Sequence, residues 1–171
     1  MFYSPILKLY KKKNLSLIVE DDYNKIITLR LIKQSDLNHL MHWKNTNRSF
    51  FFHNNKISKQ QQKIWYQSYC QRDHDYMFIV STNQLPIGCM GIRYVQENWD
   101  VYNIILGNMN FQKQGIMGKA FKKMLDFAIK NYKTDITLKV LKHNPAVKWY
   151  QKQGFTVVKK NEDHYLMLLK L

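Results

Sequence analysis

Hydrophobic and polar positions repeat at two periods along this chain, and the period switches several times. From 26 to 32 (Ile-Ile-Thr-Leu-Arg-Leu-Ile), Leu29 and Leu31 alternate with Thr28 and Arg30, the two-residue period of a half-buried strand. A β-rich run at 15–20 precedes it across the polar Asp21-Asp22-Tyr23-Asn24, a pattern that allows an opening hairpin. The period then lengthens. Leu37, Leu40, Met41 and Lys44 share helical spacing behind Ser35, whose hydroxyl can cap the helix. Ser58 and Gln61 have capping-box spacing ahead of Ile64, Trp65 and Tyr69. Between the two helices, Phe50-Phe51-Phe52 falls in a loop or short helix.

Further on, the spacing predicts a strand over 76–81, a turn over 82–85 and a hairpin partner over 86–95. After a polar break at 96–100 another apolar strand spans 101–106. A long helix follows over 116–132, with Met117, Ala120, Phe121, Met124, Leu125 and Ala128 on one stripe and Lys119, Lys122, Lys123 and Lys130 off it. Residues 136–141 read as a strand, 144–151 as a short helix, and 155–160 with 164–169 as a closing hairpin. Strand, two helices, three strands, helix, strand, helix and two strands make an α/β sandwich around a mixed sheet. With no repeat and no linker, 26–171 is expected to form one domain. Residues 1–25 read as an N-terminal extension, with room for one strand of the opening hairpin.

Composition narrows the class. The chain has 171 residues, 45% of them hydrophobic and 14% aromatic, which suits a folded domain and not a disordered segment. A formal charge of +15 raises the question of nucleic acid. Only Arg30, Arg48, Arg72 and Arg93 are arginines, however, and the lysines are scattered between apolar helix positions. No nucleic-acid-binding motif appears, and attraction of a polyanionic small ligand accounts for the charge equally well, as does a merely lysine-rich composition. No apolar run approaches the roughly 18 residues of a membrane span. The apolar residues 1–9 precede Lys11-Lys12-Lys13, the reverse of a secretory signal. Cys70 and Cys89 form no Cys-x-x-Cys pair, so a reducing cytoplasm is the expected compartment.

Candidate chemistry concentrates in two segments. From Leu106 to Ala120 a strand ends, a polar loop with Gly107 and Gly115 follows, and an amphipathic helix begins. A helix start carries unpaired N–H groups and the positive end of the dipole, and Gly115 permits close approach of a pyrophosphate. Lys113 and Lys119 add charge. By residue pattern alone this is either a phosphate-binding turn or a plain glycine loop. It is neither a Walker loop nor the dinucleotide fingerprint. In the second segment Asn144-Pro145 opens a short helix that ends at Gly154 and carries Tyr150. A tyrosine hydroxyl stays protonated at neutral pH and can donate to a leaving thiolate, although such a residue also serves as core packing.

Together these segments resemble the GNAT superfamily of N-acetyltransferases, in the branch that includes ribosomal-protein and nucleotide-amino-sugar acetyltransferases. The family's pyrophosphate motif, Gln/Arg-x-x-Gly-x-Gly/Ala, is matched at Gln112 and Gly115, with Met117 in place of the last small residue. Its second motif is matched at Asn144, Tyr150, Gly154 and Phe155. The resemblance implies a mostly antiparallel sheet of about seven strands flanked by about four helices, with two strands splayed at the acetyl-CoA site. It further implies that Leu106, Gly107 and Asn108 hydrogen-bond the pantetheine arm. The loop Gln112, Lys113, Gln114, Gly115, Ile116, Met117 and Gly118 would hold the pyrophosphate. Asn144 would touch the cofactor near the thioester, and Tyr150 would protonate the sulfur.

A base is also required, and residues 101–106 carry no acid. Asp100 is favoured, with Glu97 and His74 as alternatives. The acceptor is expected to be a small-molecule amine, anionic in character, most simply a nucleotide-linked amino sugar. Trp43, Lys44, Asn45, Phe51 and Trp65 would hold it by stacking and charge, unless the aromatics are core. Protein N-termini, polyamines and antibiotics are the other acceptors of the superfamily, and a CoA-binding module without turnover is a reading of another class. A homodimer is one admissible assembly. No metal is expected, because His39 and His42 lack a completing carboxylate and Asp73-His74-Asp75 reads as a turn.

Overall fold

A computed structural model describes residues 15–20 and 25–171. Eight strands form one sheet in the order β1-β2-β3-β4-β5-β6-β8-β7. They are β1 Ser16–Glu20, β2 Ile26–Leu31, β3 Asp75–Thr82, β4 Leu85–Val95, β5 Asn98–Leu106, β6 Ile136–Leu141, β7 Thr156–Lys160 and β8 His164–Leu169. Four α-helices cover it: α1 Leu37–Thr46, α2 Lys59–Cys70, α3 Ile116–Asn131 and α4 Ala146–Lys152. Only the β5–β6 pair is parallel. The eighth strand relative to expectation is β1, which pairs with β2 from Ser16↔Arg30 to Glu20↔Ile26. Residues 1–14 and 21–24 lie outside the described ones. Among the described residues no helix is long and apolar enough to cross a membrane.

The central strand β3 is covered on both faces, so nearly all of it is buried. Phe78 and Val80 point to the layer of α3, where Ala120, Phe121, Met124 and Ala128 supply the predicted stripe. Met77 and Ile79 point to the layer of α1 and α2, against Leu40, Trp43 and Tyr69. Two hairpins reach the centre through two-residue turns, Asn83-Gln84 (φ 49° and 63°) and Gln96-Glu97 (φ 49° and 64°). Positive φ at both positions gives the twist that matches the flanking strands. The polar stretch at 96–100 is therefore only partly a break. β5 resumes at Asn98 and buries Trp99 completely, its indole Nε1 donating to Tyr132 O at 3.0 Å.

Local caps follow charge where charge is present. The Ser58–Gln61 box forms as predicted, with Gln61 N donating to Ser58 Oγ at 3.2 Å and Ser58 N to Gln61 Oε1 at 2.8 Å. Ser35 instead lies inside a 3-10 turn, Gln34–Asp36. There the Asp36 carboxylate takes the Lys33 N–H (2.7 Å) and both Arg30 nitrogens (2.7 and 2.8 Å). A carboxylate held by a guanidinium is a stronger acceptor than a hydroxyl, so it organises the start of α1.

Two departures from regularity shape the middle of the sheet. Asn103 has φ 51°, and the β4–β5 register shifts between Cys89 and Gly91. Before this bulge Trp99 and Val101 belong to the α3 layer, and after it Ile104 does, so the alternation is reset by one. The parallel β5–β6 ladder stops at Val101↔Leu138. Beyond it β5 continues to Leu106 without β6 beside it.

Just past the strand, a Cβ on Gly107 would lie 2.1 Å from Cε2 of Trp43. Gly107→Ala is expected to cost about 1–3 kcal/mol through overpacking. Chemical denaturation should show this loss, and a Trp43→Leu background should recover part of it.

Candidate active site

The unpaired stretches of β5 and β6 form the walls of a cleft of about 1640 Å³. The α3 layer closes one end. Gly115 (φ 75°) turns the chain into α3, and a Cβ there would meet nothing within 4 Å. The first helical hydrogen bond is Lys119 N to Gly115 O, so the N–H groups of Ile116, Met117 and Gly118 precede it. No acidic residue sits in that first turn to neutralise the dipole. Gln112, Lys113, Gly115, Ile116, Met117 and Gly118 line the cleft, as does Leu106. Gln114 stays outside the lining and braces the loop, its Nε2 donating to Asn110 O at 2.8 Å. Gly107 and Asn108 also stand outside. Both of their N–H groups donate to Ile87 O (2.8 and 2.9 Å), so those donors fasten the loop to β4 and are not free for a ligand.

At the other wall, α4 directs Tyr150 inward. Its ring packs 6.1 Å from Phe121 and 6.1 Å from Phe155, and the residue is 8% exposed on the cleft surface. Burial pushes its phenol well above the ordinary value, so it remains protonated at any physiological pH. Asn144 lines the cleft as well, but its polar atoms are engaged: Oδ1 accepts from Ala146 N (2.8 Å) and Nδ2 donates to Phe50 O (3.2 Å). His143 Nε2 lies 2.8 Å from Ser49 O, so the 3-10 turn Arg48–Phe50 and its sequel fold over the entrance to α4.

Of the three acid–base candidates, only Asp100 lines the cleft. Burial raises its carboxyl pKa, against the pull of Arg93, which bonds it through Nε at 2.9 Å and Nη2 at 2.7 Å. Glu97 occupies the hairpin turn, and His74 packs edge-on against Tyr94 and Tyr132 away from the cleft.

The residues expected to hold an acceptor separate into two groups. Trp43 is 7% exposed in the core beneath α1, against Gly107, and lines no cleft. Asn45 clasps the loop after α1, donating to Ile57 O (2.9 Å) and accepting from Ile57 N (2.7 Å). Lys44, Phe51 and Trp65 do face open space. Lys44 Nζ donates to Asn103 Oδ1 at 2.6 Å and sits 3.2 Å from the centre of the Phe51 ring. Burial lowers its pKa from 10.5 to about 8.

Lys44 and Asn103 also border a second cleft of about 500 Å³, set under α1 and α2. The two clefts share Lys44, His53, Arg93, Tyr102, Asn103 and Ile105, so they meet at the bulge. Beside that junction Tyr102 donates its hydroxyl to Asp75 Oδ1, and Arg72 pairs with Asp75 Oδ2 at 3.2 Å. The sequence reading missed Arg93, Tyr102 and Gln62 of this wall. Counting outward from a two-residue turn at 96–97 would have set Arg93 opposite Asp100. Helical spacing would have set Gln62 on the face of Trp65 and Tyr69.

The arrangement offers a charge-favourable helix start, a neutral phenol and a gap between strands, opening onto a cation-lined recess. Comparison with known proteins bears directly on it. Among curated proteins none matches the sequence. Among solved structures, a domain from Methanocaldococcus jannaschii DSM 2661 aligns with a TM-score of 0.76 at 19% identity, over 86% of this chain and 99% of that one. FdhC, a nucleotide-linked sugar GNAT, aligns with a TM-score of 0.72 at 16% identity, over 84% and 86% of the two chains. Spermidine N-acetyltransferase from Vibrio cholerae, solved with CoA and spermine, gives 0.72 at 21% identity, over 84% and 95%. At these identities the likeness is one of fold. The family model of the acetyltransferase (GNAT) domain matches residues 27–156, a span that takes in the splayed strands, the Gly115 turn and Tyr150. That match covers well over half of the sequence, and the chain belongs to the GNAT family of N-acetyltransferases.

Proposed function

We propose that this enzyme transfers the acetyl group of acetyl-CoA to a primary amine on a nucleotide-linked amino sugar. The observation that carries the acceptor class is the charge of the second cleft. Lys44, Lys56, Arg72 and Arg93 line it, and Lys44 has no ion-pair partner among the described residues. A cation withdrawn from water without a counter-ion is costly, and a ligand phosphate relieves that cost. A polyamine would bring like charge to the same place. FdhC, of the same fold, is a nucleotide-linked sugar GNAT, which agrees with this reading.

The first cleft fits acetyl-CoA: it encloses about 1640 Å³, and the N–H groups of residues 116–118 suit a pyrophosphate. Bound there, the cofactor supplies the acetyl group as a thioester. Lys113 would add charge for its phosphates, and Met117 lines the same cleft. Asp100 takes the proton of the incoming ammonium, aided by burial that brings its carboxyl nearer the working pH. Tyr150 gives its proton to the departing sulfur and recovers one from the acetylated nitrogen. Holding amine and thioester together at the junction of the clefts supplies much of the rate.

A thiol-release assay against nucleotide amino sugars, peptides, polyamines and aminoglycosides tests the acceptor, with turnover expected on the first class. Turnover on peptides or polyamines alone would overturn the assignment. Tyr150→Phe is expected to lower kcat by about a hundred- to ten-thousand-fold with CoA affinity unchanged. An unaffected kcat would remove the general-acid role, and absence of turnover in the parent enzyme would indicate a CoA-binding module.

Lys44 gives a pH signature. Its folded-state pKa of about 8 lies below the ordinary value of 10.5. Between those values the unfolded chain holds a proton that the folded one has lost, so stability rises with pH across this window. Lys44→Met should therefore raise the melting temperature by several degrees at pH 7, and that advantage should fade between pH 8 and 10.5. The KM for an anionic acceptor should rise above pH 8 in the parent enzyme and stay flat in the variant.

A further inference from the structure

Gln62 stands apart from the other polar side chains of the second cleft. It is 7% exposed, it lines the cleft, and its carboxamide makes no hydrogen bond among the described residues. Its neighbour Gln61 completes the cap of α2, whereas Gln62 takes part only through its backbone, N donating to Ser58 O at 3.0 Å. The cleft it lines also has an apolar part, to which Leu40, Met77, Cys89 and Ile105 contribute. Its oxygen and nitrogen are not among the buried polar atoms that lack a partner, so the carboxamide meets the open space of the cleft with its donors and acceptor free. A carboxamide held in this way on the wall is placed to pair with a ligand.

Geometry limits the partner. A carboxamide sets one acceptor oxygen and one N–H side by side, and it pairs in full with a group showing a donor and an acceptor on one edge. A single peptide residue can show that pair, as Ile57 does to Asn45, so the choice of a base over a peptide rests on the flat face of Trp65 and the cationic lining. Protonated polyamines offer donors only. The edge of a nucleobase has the required pair. Trp65, stacked on Tyr69 at 5.5 Å and 19°, lines the same cleft and gives a flat apolar surface. Arg93 and Lys44 lie at the junction with the cofactor cleft, where the phosphates of a nucleotide would follow its base.

We propose that Gln62 reads the base of the acceptor, pairing its carboxamide with an adjacent donor and acceptor on one base edge. This rests on the nucleotide-linked acceptor proposed above. The test is calorimetry on the full chain with CoA saturating, so that the cofactor cleft is filled and no transfer occurs. The probes are uridine, thymidine and adenosine diphosphates and inorganic pyrophosphate.

At least one nucleoside diphosphate should bind tenfold or more tighter than pyrophosphate. Gln62→Leu should weaken that binding roughly ten- to hundredfold. Pyrophosphate and CoA affinities should be unchanged, and the melting temperature equal or higher. A residue that merely supported the fold would lower the melting temperature instead. Should the leucine variant not fold, Gln62→Met keeps the length and neutrality of the side chain, removes the carboxamide and is read in the same way. Equal nucleoside diphosphate affinity in variant and parent overturns the inference, as does a base that adds nothing to pyrophosphate. If nucleotide amino sugars are acetylated with the same KM by parent and variant, the acceptor assignment stands and the role of Gln62 falls. If only peptides are acetylated, both fall.

Discussion

The bond from Lys44 Nζ to Asn103 Oδ1 spans 2.6 Å and joins α1 to the bulge of β5. Much else depends on that bulge. A strand of strict alternation would continue beside β6 and seal the sheet. With Asn103 at φ 51°, the side chains beyond it change faces and the parallel ladder is left at Val101. The cleft between the strands, the path to α3 and the junction with the recess under α1 and α2 all follow from this one backbone irregularity. Lys44 acts on both sides of it. Its ammonium sits over the Phe51 ring, and its charge has no carboxylate partner among the described residues at the point where the two clefts meet.

Charge is distributed unevenly across the site. Arg72 and Arg93 each hold a carboxylate, Asp75 and Asp100, so they present their guanidinium groups in fixed positions with part of the charge offset. Lys44 and the N-terminus of α3 lack such partners among the described residues. Two centres of uncompensated positive character therefore lie in one continuous space, one at the start of α3 and one at the junction of the two clefts. Under the proposed function each receives a phosphate-bearing ligand. The thiol of Cys89, pushed up to about 12 by burial, is neutral and adds neither charge nor a nucleophile to that meeting point.

The alternation of Leu29 and Leu31, the stripe of α3 and the Ser58–Gln61 box were legible because each is local, fixed within a few residues by period or cap. The same holds for the Gly115 turn, whereas Tyr150 stood out from a packing residue only through the resemblance to a family motif. What escaped was set by partners distant in sequence. Trp43 looked like a stacking platform and is core, because Gly107, at the far end of β5, leaves room for its ring. Asn45 looked like a ligand contact and clasps Ile57. The strand start at Asn98 was hidden because Gln-Glu-Asn-Trp-Asp reads as polar, although its tryptophan is fully buried. Once that start was misplaced, the register of the hairpin was lost, and the Arg93–Asp100 pair with it.

The turn after α1 has a wider effect. Its Ser49 and Phe50 carbonyls meet His143 and Asn144 at the mouth of α4, and Phe51 and Phe52 continue over the first cleft. One segment, continuing to His53, thus borders both clefts while leaning on the helix that carries Tyr150. A ligand that settles this segment lowers the entropic cost for the next to bind, so the two substrates are coupled without touching. In kinetic language, such coupling makes the apparent Michaelis constant of each substrate depend on the concentration of the other.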